Sequence, residues 1–222
     1  MGRSHAPRDL LRGGAELAAL TLLMLGGTYV ASWLAARGGL AVSRGLVFEG
    51  RWFAPSWSVF PWADCAAMLA FMVVLPLAWE RVTGSDLRSV GLRVGLRGLA
   101  FVPAAVACAA LVYGLRWRAG AVRPVADMGA APVIVAYLLV AAVAEEVCFR
   151  GVIQRRLTTM AGVRLAIPLA GALFVAWHGA PGSPWALAFR CAAALGLGAL
   201  YQFSGSLLPP VVCHWVLSLA AV

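Results

Sequence analysis

The sequence predicts an all-α fold, a polytopic membrane helix bundle of about seven to eight transmembrane helices. Three observations lead there. First, 62% of the 222 residues are hydrophobic and only 12% are charged. With a mean hydropathy of +0.86, the chain lacks the charged surface that a soluble domain of this length requires. Second, seven apolar runs approach the roughly 20 residues that a spanning helix needs. Third, arginines cluster in the stretches between those runs, as anchoring loop residues do.

The runs cover about 17–36, 59–79, 99–115, 132–157, 165–178, 185–203 and 207–222. The fifth and seventh are short, which predicts tilted helices or helices buried among neighbours. The basic start leads into an apolar run longer than a secretory signal's core, so the first run is expected to be a retained span. The start MGRSHAP lacks the Ser or Thr of a myristoylation signal. Residues 44–61 (RGLVFEGRWFAPSWSVFP) are rich in Trp and Phe and read as an anchoring loop at headgroup level, with no ligand role for Trp52, Phe53 or Trp57. No internal repeat or linker interrupts the chain. The expectation is a single integral membrane domain over 1–222, with 132–222 carrying the chemistry.

All 18 basic residues are arginine, against nine acidic ones. Alternation of the spans puts Arg3, Arg8, Arg12, Arg81, Arg88, Arg93, Arg97, Arg155, Arg156 and Arg164 on one side. Arg37, Arg44, Arg51, Arg116, Arg118 and Arg123 fall on the other. The positive-inside rule then predicts a cytoplasmic N-terminus. No basic stripe with interleaved aromatics lies outside the loops, so nucleic acid is not an expected partner. Cys65, Cys108, Cys148, Cys191 and Cys213 all fall inside apolar runs, which predicts small buried residues rather than a disulfide framework.

Three polar sites interrupt the apolar C-terminal half. The first is AEEVCFRGVIQRRL, in the fourth run. Each carboxylate in a spanning helix costs roughly 2.5–3.5 kcal/mol on insertion scales, so the pair persists only if paired, solvated or used. Arg150 lies four residues after Glu146 and can pair with it on one helical face. Glu145 points about 100° away and finds no partner in its own helix. A carboxyl in low dielectric beside a like charge suits general acid–base work. The second site, FVAWHG, stacks Phe174 and His178 one turn apart. The third, LLPPVVCHWVLSLA, does the same for His214 and Ser218, and Pro209 and Pro210 are expected to break the entry into that helix.

Depth provides an independent test. Glu145 lies ten residues from Arg155, His178 fourteen from Arg164, and His214 eight from Ser206. At 1.5 Å per residue these are depths of roughly 15, 21 and 12 Å in an apolar layer of about 30 Å. All three groups are expected near the middle of the bilayer, where one shared site is possible.

In this order, EEVCFRG, FxxxH and LLPPxxxH resemble the CAAX protease and bacteriocin-processing family of intramembrane glutamic endopeptidases. The match covers about residues 144–218. The resemblance implies that Glu145 and His178 activate a water for attack on a peptide carbonyl. It implies that Glu146 and Arg150 shape and charge-balance the site, and that His214 donates to the oxyanion. Phe174 is packing support. The family's last motif is usually HxxxN or HxxxD, whereas position 218 is Ser. A serine hydroxyl is about one bond shorter, and loss of one oxyanion donor typically costs about 10²–10³ in turnover.

The expected substrate is a membrane-associated protein or peptide, C-terminally anchored or lipidated, and the many bacterial relatives imply a bacterial inner membrane. Three alternatives stand beside this reading. One is an inactive scaffold or bacteriocin-immunity protein of the same fold, in which Ser218 marks a decayed site. Another is a proton-coupled transporter, against which the lack of inverted repeats argues. The third is a metal-dependent protease. Two glutamates and two histidines can bind a divalent ion, but a helical HExxH is absent, and no cofactor is expected. Cys148 and Cys213 adjoin the site residues without an expected role as nucleophile or ligand. Arg190, a lone cation in the sixth run, carries no assigned role; it can snorkel to the interface or face a cavity.

Overall fold

The structure, a computed structural model, describes residues 7–37, 62–93, 95–118, 131–179 and 183–219. Residues 44–61 lie outside them, as does Arg3. Seven helices follow in chain order among the described residues. They are α1 (Pro7–Arg37), α2 (Trp62–Val82), α3 (Leu96–Arg118), α4 (131–161), α5 (Val163–Trp177), α6 (Pro184–Ser204) and α7 (Leu208–Leu219). No strand occurs among the described residues.

Five stretches are long and apolar enough to cross a membrane: Leu11–Leu34, Trp62–Val82, Leu96–Leu115, Pro132–Ala161 and Pro184–Ser204. With 15 and 12 residues, α5 and α7 extend only about 22 and 18 Å, short of the roughly 30 Å apolar layer. They are held by neighbours instead. α7 lies against α3, α4 and α6, and α5 lies against α4 and α6. The polarity is the inverse of a soluble protein's. Leu22, Leu96, Leu111 and Trp185 face outward, while Asp64, Glu80, Glu145, Glu146, Arg150 and Gln154 are buried. Lipid solvates leucine well and an ionised group badly, so the charges lie inside. The protein is an integral membrane helix bundle.

Two spans widen into π-helix. In α2 this occurs over Leu69–Val74, and in α4 over Val147–Gln154, directly after the two glutamates. The two widened segments pack on each other. A π turn is a costly irregularity that recurs at functional sites. Within the α4 segment Gly151 admits a close neighbour: a Cβ there would lie 2.6 Å from the Val90 Cγ1.

One end of the bundle is tied by ionic and backbone contacts. Glu80, fully buried at the end of α2, pairs with both Arg155 and Arg156 on α4. Both arginines fall inside the expected fourth run, and α4 continues past its expected end at 157 to Ala161. A 3₁₀ turn, Leu87–Val90, docks on the α6–α7 junction. There the Tyr201 hydroxyl donates to the Val90 carbonyl (3.1 Å) and the Leu207 N–H to the Gly91 carbonyl (2.9 Å). Gly91 sits at φ +92°, where a Cβ would also meet the Tyr201 ring at 2.8 Å, so glycine is required.

The cysteine expectation needs one correction. All five cysteines are free, and Cys65, Cys148 and Cys213 are buried, but Cys191 is only half-buried and Cys108 is on the outer face of α3. Pro209 and Pro210 also differ from expectation. They sit in the first turn of α7, where a missing N–H removes no intrahelical bond, and so they start that helix rather than break its entry.

Candidate functional site

The site lies where α4, α5 and α7 meet. Glu146 is fully buried, and both of its oxygens are engaged. Oε2 accepts from the Arg150 Nε at 3.2 Å, one turn along the same helix, and Oε1 pairs with the His214 Nδ1 at 2.9 Å. The i, i+4 ion pair anticipated from the sequence is therefore present within α4, and α7 adds the second contact.

Glu145 turns to α5. Its Oε1 accepts from the Trp177 indole N–H at 3.3 Å. Its Oε2 has no hydrogen-bond partner among the described residues, and it lies 3.5 Å from the His178 Nε2 and 3.7 Å from the His214 Nε2. These separations exceed a good hydrogen bond.

The His178 Nδ1 lies 2.8 Å from the Phe174 carbonyl oxygen. A carbonyl only accepts, so Nδ1 carries the proton, and in the neutral ring Nε2 is left as an acceptor. The same reasoning applies to His214, whose Nδ1 donates to the Glu146 carboxylate. Phe174 packs between the imidazoles, with ring centroids 4.5 Å from His178 and 5.4 Å from His214. The Arg150 guanidinium lies 4.9 Å over its face, and Phe149 meets it edge-on. Phe174 thus spaces the two histidines and carries a cation on its π face.

The structure therefore brings Glu145, Glu146, Arg150, Phe174, His178 and His214 together. Ser218, one turn beyond His214 on α7, is half-buried and contributes no hydrogen bond to this group. One ligand atom each from Glu145, His178 and His214 lie within 4.8 Å of one another, so these three are the side chains able to hold a metal ion here.

Sequence reasoning missed two contributors. Trp177, adjacent to His178, gives Glu145 its one hydrogen bond, and the signal was an indole N–H inside FVAWHG. Asp64 on α2 is a buried carboxylate in the second span. The cost argument applied to the glutamate pair applies equally to an acid in the second run.

A family model described as type II CAAX prenyl endopeptidase Rce1-like matches residues 127–220. That range contains every residue of the site. No curated protein and no solved structure matches the chain.

Proposed function

We propose that this protein is an intramembrane glutamic endopeptidase, a reading supported by the match of residues 127–220 to the family model described as type II CAAX prenyl endopeptidase Rce1-like. Its substrate is a membrane-associated protein or peptide, C-terminally anchored or lipidated. The observation that carries this reading is the unpartnered, buried Oε2 of Glu145, 3.5 and 3.7 Å from two imidazole nitrogens.

Glu145 Oε2 and His178 Nε2 are both acceptors, and a water between them gives one hydrogen to each. Its lone pairs then point away, toward a bound peptide carbonyl. Glu145 takes the proton as the oxygen bonds to the carbonyl carbon, and the carbonyl oxygen gains the negative charge. The same proton passes to the departing amine as the C–N bond breaks. His214 serves the oxyanion. Its Nδ1–H is committed to Glu146, so donation from Nε2 requires the imidazolium. Charge balance supports that form: Glu145 and Glu146 ionised, with Arg150 and His214 cationic, make a neutral buried set.

The proposed setting is a bacterial inner membrane with a cytoplasmic N-terminus. The arginine asymmetry supports this orientation. The test is cleavage of a farnesylated C-terminal peptide, and of its unprenylated counterpart, by the full chain in bilayer nanodiscs. Release of the C-terminal fragment by wild type and its loss in Glu145→Gln are expected. Equal release by Glu145→Gln would refute the mechanism.

One observation favours a second reading. Ser218 stands where the family usually has Asn or Asp and makes no hydrogen bond within the site. A non-catalytic scaffold or immunity protein of this fold would show no cleavage by wild type, and a Glu145→Ala, His178→Ala double variant would retain its cellular activity.

A further inference from the structure

His178 belongs to a helix that stops too early. At about 22 Å, α5 is shorter than an apolar layer of about 30 Å, and a helix end leaves its last four carbonyls without intrahelical partners. In water these would be hydrated. Within a bilayer each costs several kcal/mol unless the protein supplies a donor.

The accounting at this end is specific. The Phe174 carbonyl takes the His178 Nδ1–H, the Val175 carbonyl the His178 N–H (3.2 Å), and the Ala176 carbonyl the Gly179 N–H (3.1 Å). Gly179 adopts φ +70°, the left-handed turn that ends helices. Two carbonyls further on are satisfied from another helix. Nη1 of Arg190 on α6 donates to the carbonyl of His178 at 3.2 Å and to that of Gly179 at 3.1 Å. Arg190 lies six residues past Pro184, roughly 9 Å along α6. The guanidinium also faces the negative end of the α5 dipole.

We infer that Arg190 is a positioning residue for the reaction: it closes the truncated end of α5 and so fixes the His178 imidazole against Glu145. This rests on the reading of His178 as partner of Glu145 in activating water. His178 is held at its N–H, at its Nδ1 and, through Arg190, at its own carbonyl. The ring is bonded to a carbonyl in the same turn, so its height follows the backbone that Arg190 grips. Release of that grip lets Nε2 drift from the 3.5 Å it keeps to Glu145. Arg190, a cation in an apolar helix, thereby acquires a structural reason to be there.

The test compares Arg190→Met and Arg190→Lys with wild type in nanodiscs, measuring kcat, KM and the ¹⁵N resonances of His178. In Arg190→Met, kcat is expected to fall about 10–100-fold, the usual effect of losing a group that orients a catalytic one. KM should change less than about two-fold. Arg190→Lys, with one ammonium able to reach the same carbonyls, should recover part of the loss. The His178 resonances should pass from a single Nδ1-protonated form to a tautomer mixture in Arg190→Met. Should that variant fail to fold, Arg190→Gln, whose amide is shorter than the guanidinium by about two bonds and falls short of both carbonyls, is read in the same way. Wild-type kcat together with unchanged His178 resonances in the substituted protein would overturn the inference. If wild type cleaves nothing yet the resonances respond to Arg190→Met, the protease reading fails while the clamp on His178 stands.

Discussion

His214 of α7 and Glu146 of α4 meet Nδ1 to Oε1 at 2.9 Å, and the other oxygen of the same carboxylate holds Arg150. Glu145, the next residue along the chain, has one oxygen with no such contact. Adjacent glutamates are therefore predicted to differ in kind: one supports the fold, the other the chemistry.

Glu146→Ala should destabilise the protein by about 3–5 kcal/mol, because it leaves the buried Arg150 and His214 uncompensated. Denaturation of the purified protein by increasing SDS measures this. A midpoint equal to wild type would show that the pair is not a structural brace.

Glu145→Gln should unfold at the wild-type midpoint. The amide keeps an oxygen able to accept from Trp177, and the lost charge held no hydrogen bond at Oε2. Turnover should fall by about 10²–10⁴, the usual contribution of a positioned general base. A parallel loss of stability would contradict the assignment.

Ser218→Asn restores the amide that is usual in the family's last motif. If an oxyanion donor is short by one bond, kcat should rise by about 10-fold, part of the 10²–10³ that one such donor supplies. An unchanged kcat would mean that another group already fills the role.

Glu80→Ala removes the buried carboxylate shared by Arg155 and Arg156. Both arginines are partly exposed, at 19% and 16% of their side chains, and can turn toward solvent. The cost should therefore be smaller than for Glu146, about 1–3 kcal/mol. Turnover per folded molecule should stay near wild type, because Glu80 touches no site residue. A specific loss of kcat would show that the end of α4 sets the geometry of the glutamate pair.

Chelation addresses the trio of Glu145, His178 and His214. Water activation by Glu145 and His178 predicts full turnover after prolonged treatment with 1,10-phenanthroline. Loss of activity that zinc restores would instead assign the three side chains as ligands with an open fourth position.

The glutamate pair, its arginine and the two histidines were legible as polar interruptions of apolar runs. Their expected depths agreed because distance along a helix is fixed at 1.5 Å per residue. The short lengths of α5 and α7 were legible for the same reason. The pairing of Arg155 and Arg156 with Glu80 was not, since it depends on α2 standing beside α4. The spans before residue 131 gave no signature, yet α2 brings the buried Asp64 and Glu80.

Composition and periodicity alone determined that this chain is a membrane helix bundle and which of its polar groups had to be shielded from lipid. A helix's sequence reports how apolar its surroundings are, residue by residue. It does not report which neighbour stands on each side. Only the tertiary structure decided that Glu146 meets His214, that Glu145 meets Trp177 and faces His178, and that Arg190 closes the end of α5. Each of those contacts depends on lateral helix pairing and on the π turns that rotate one stretch of α4 against the rest.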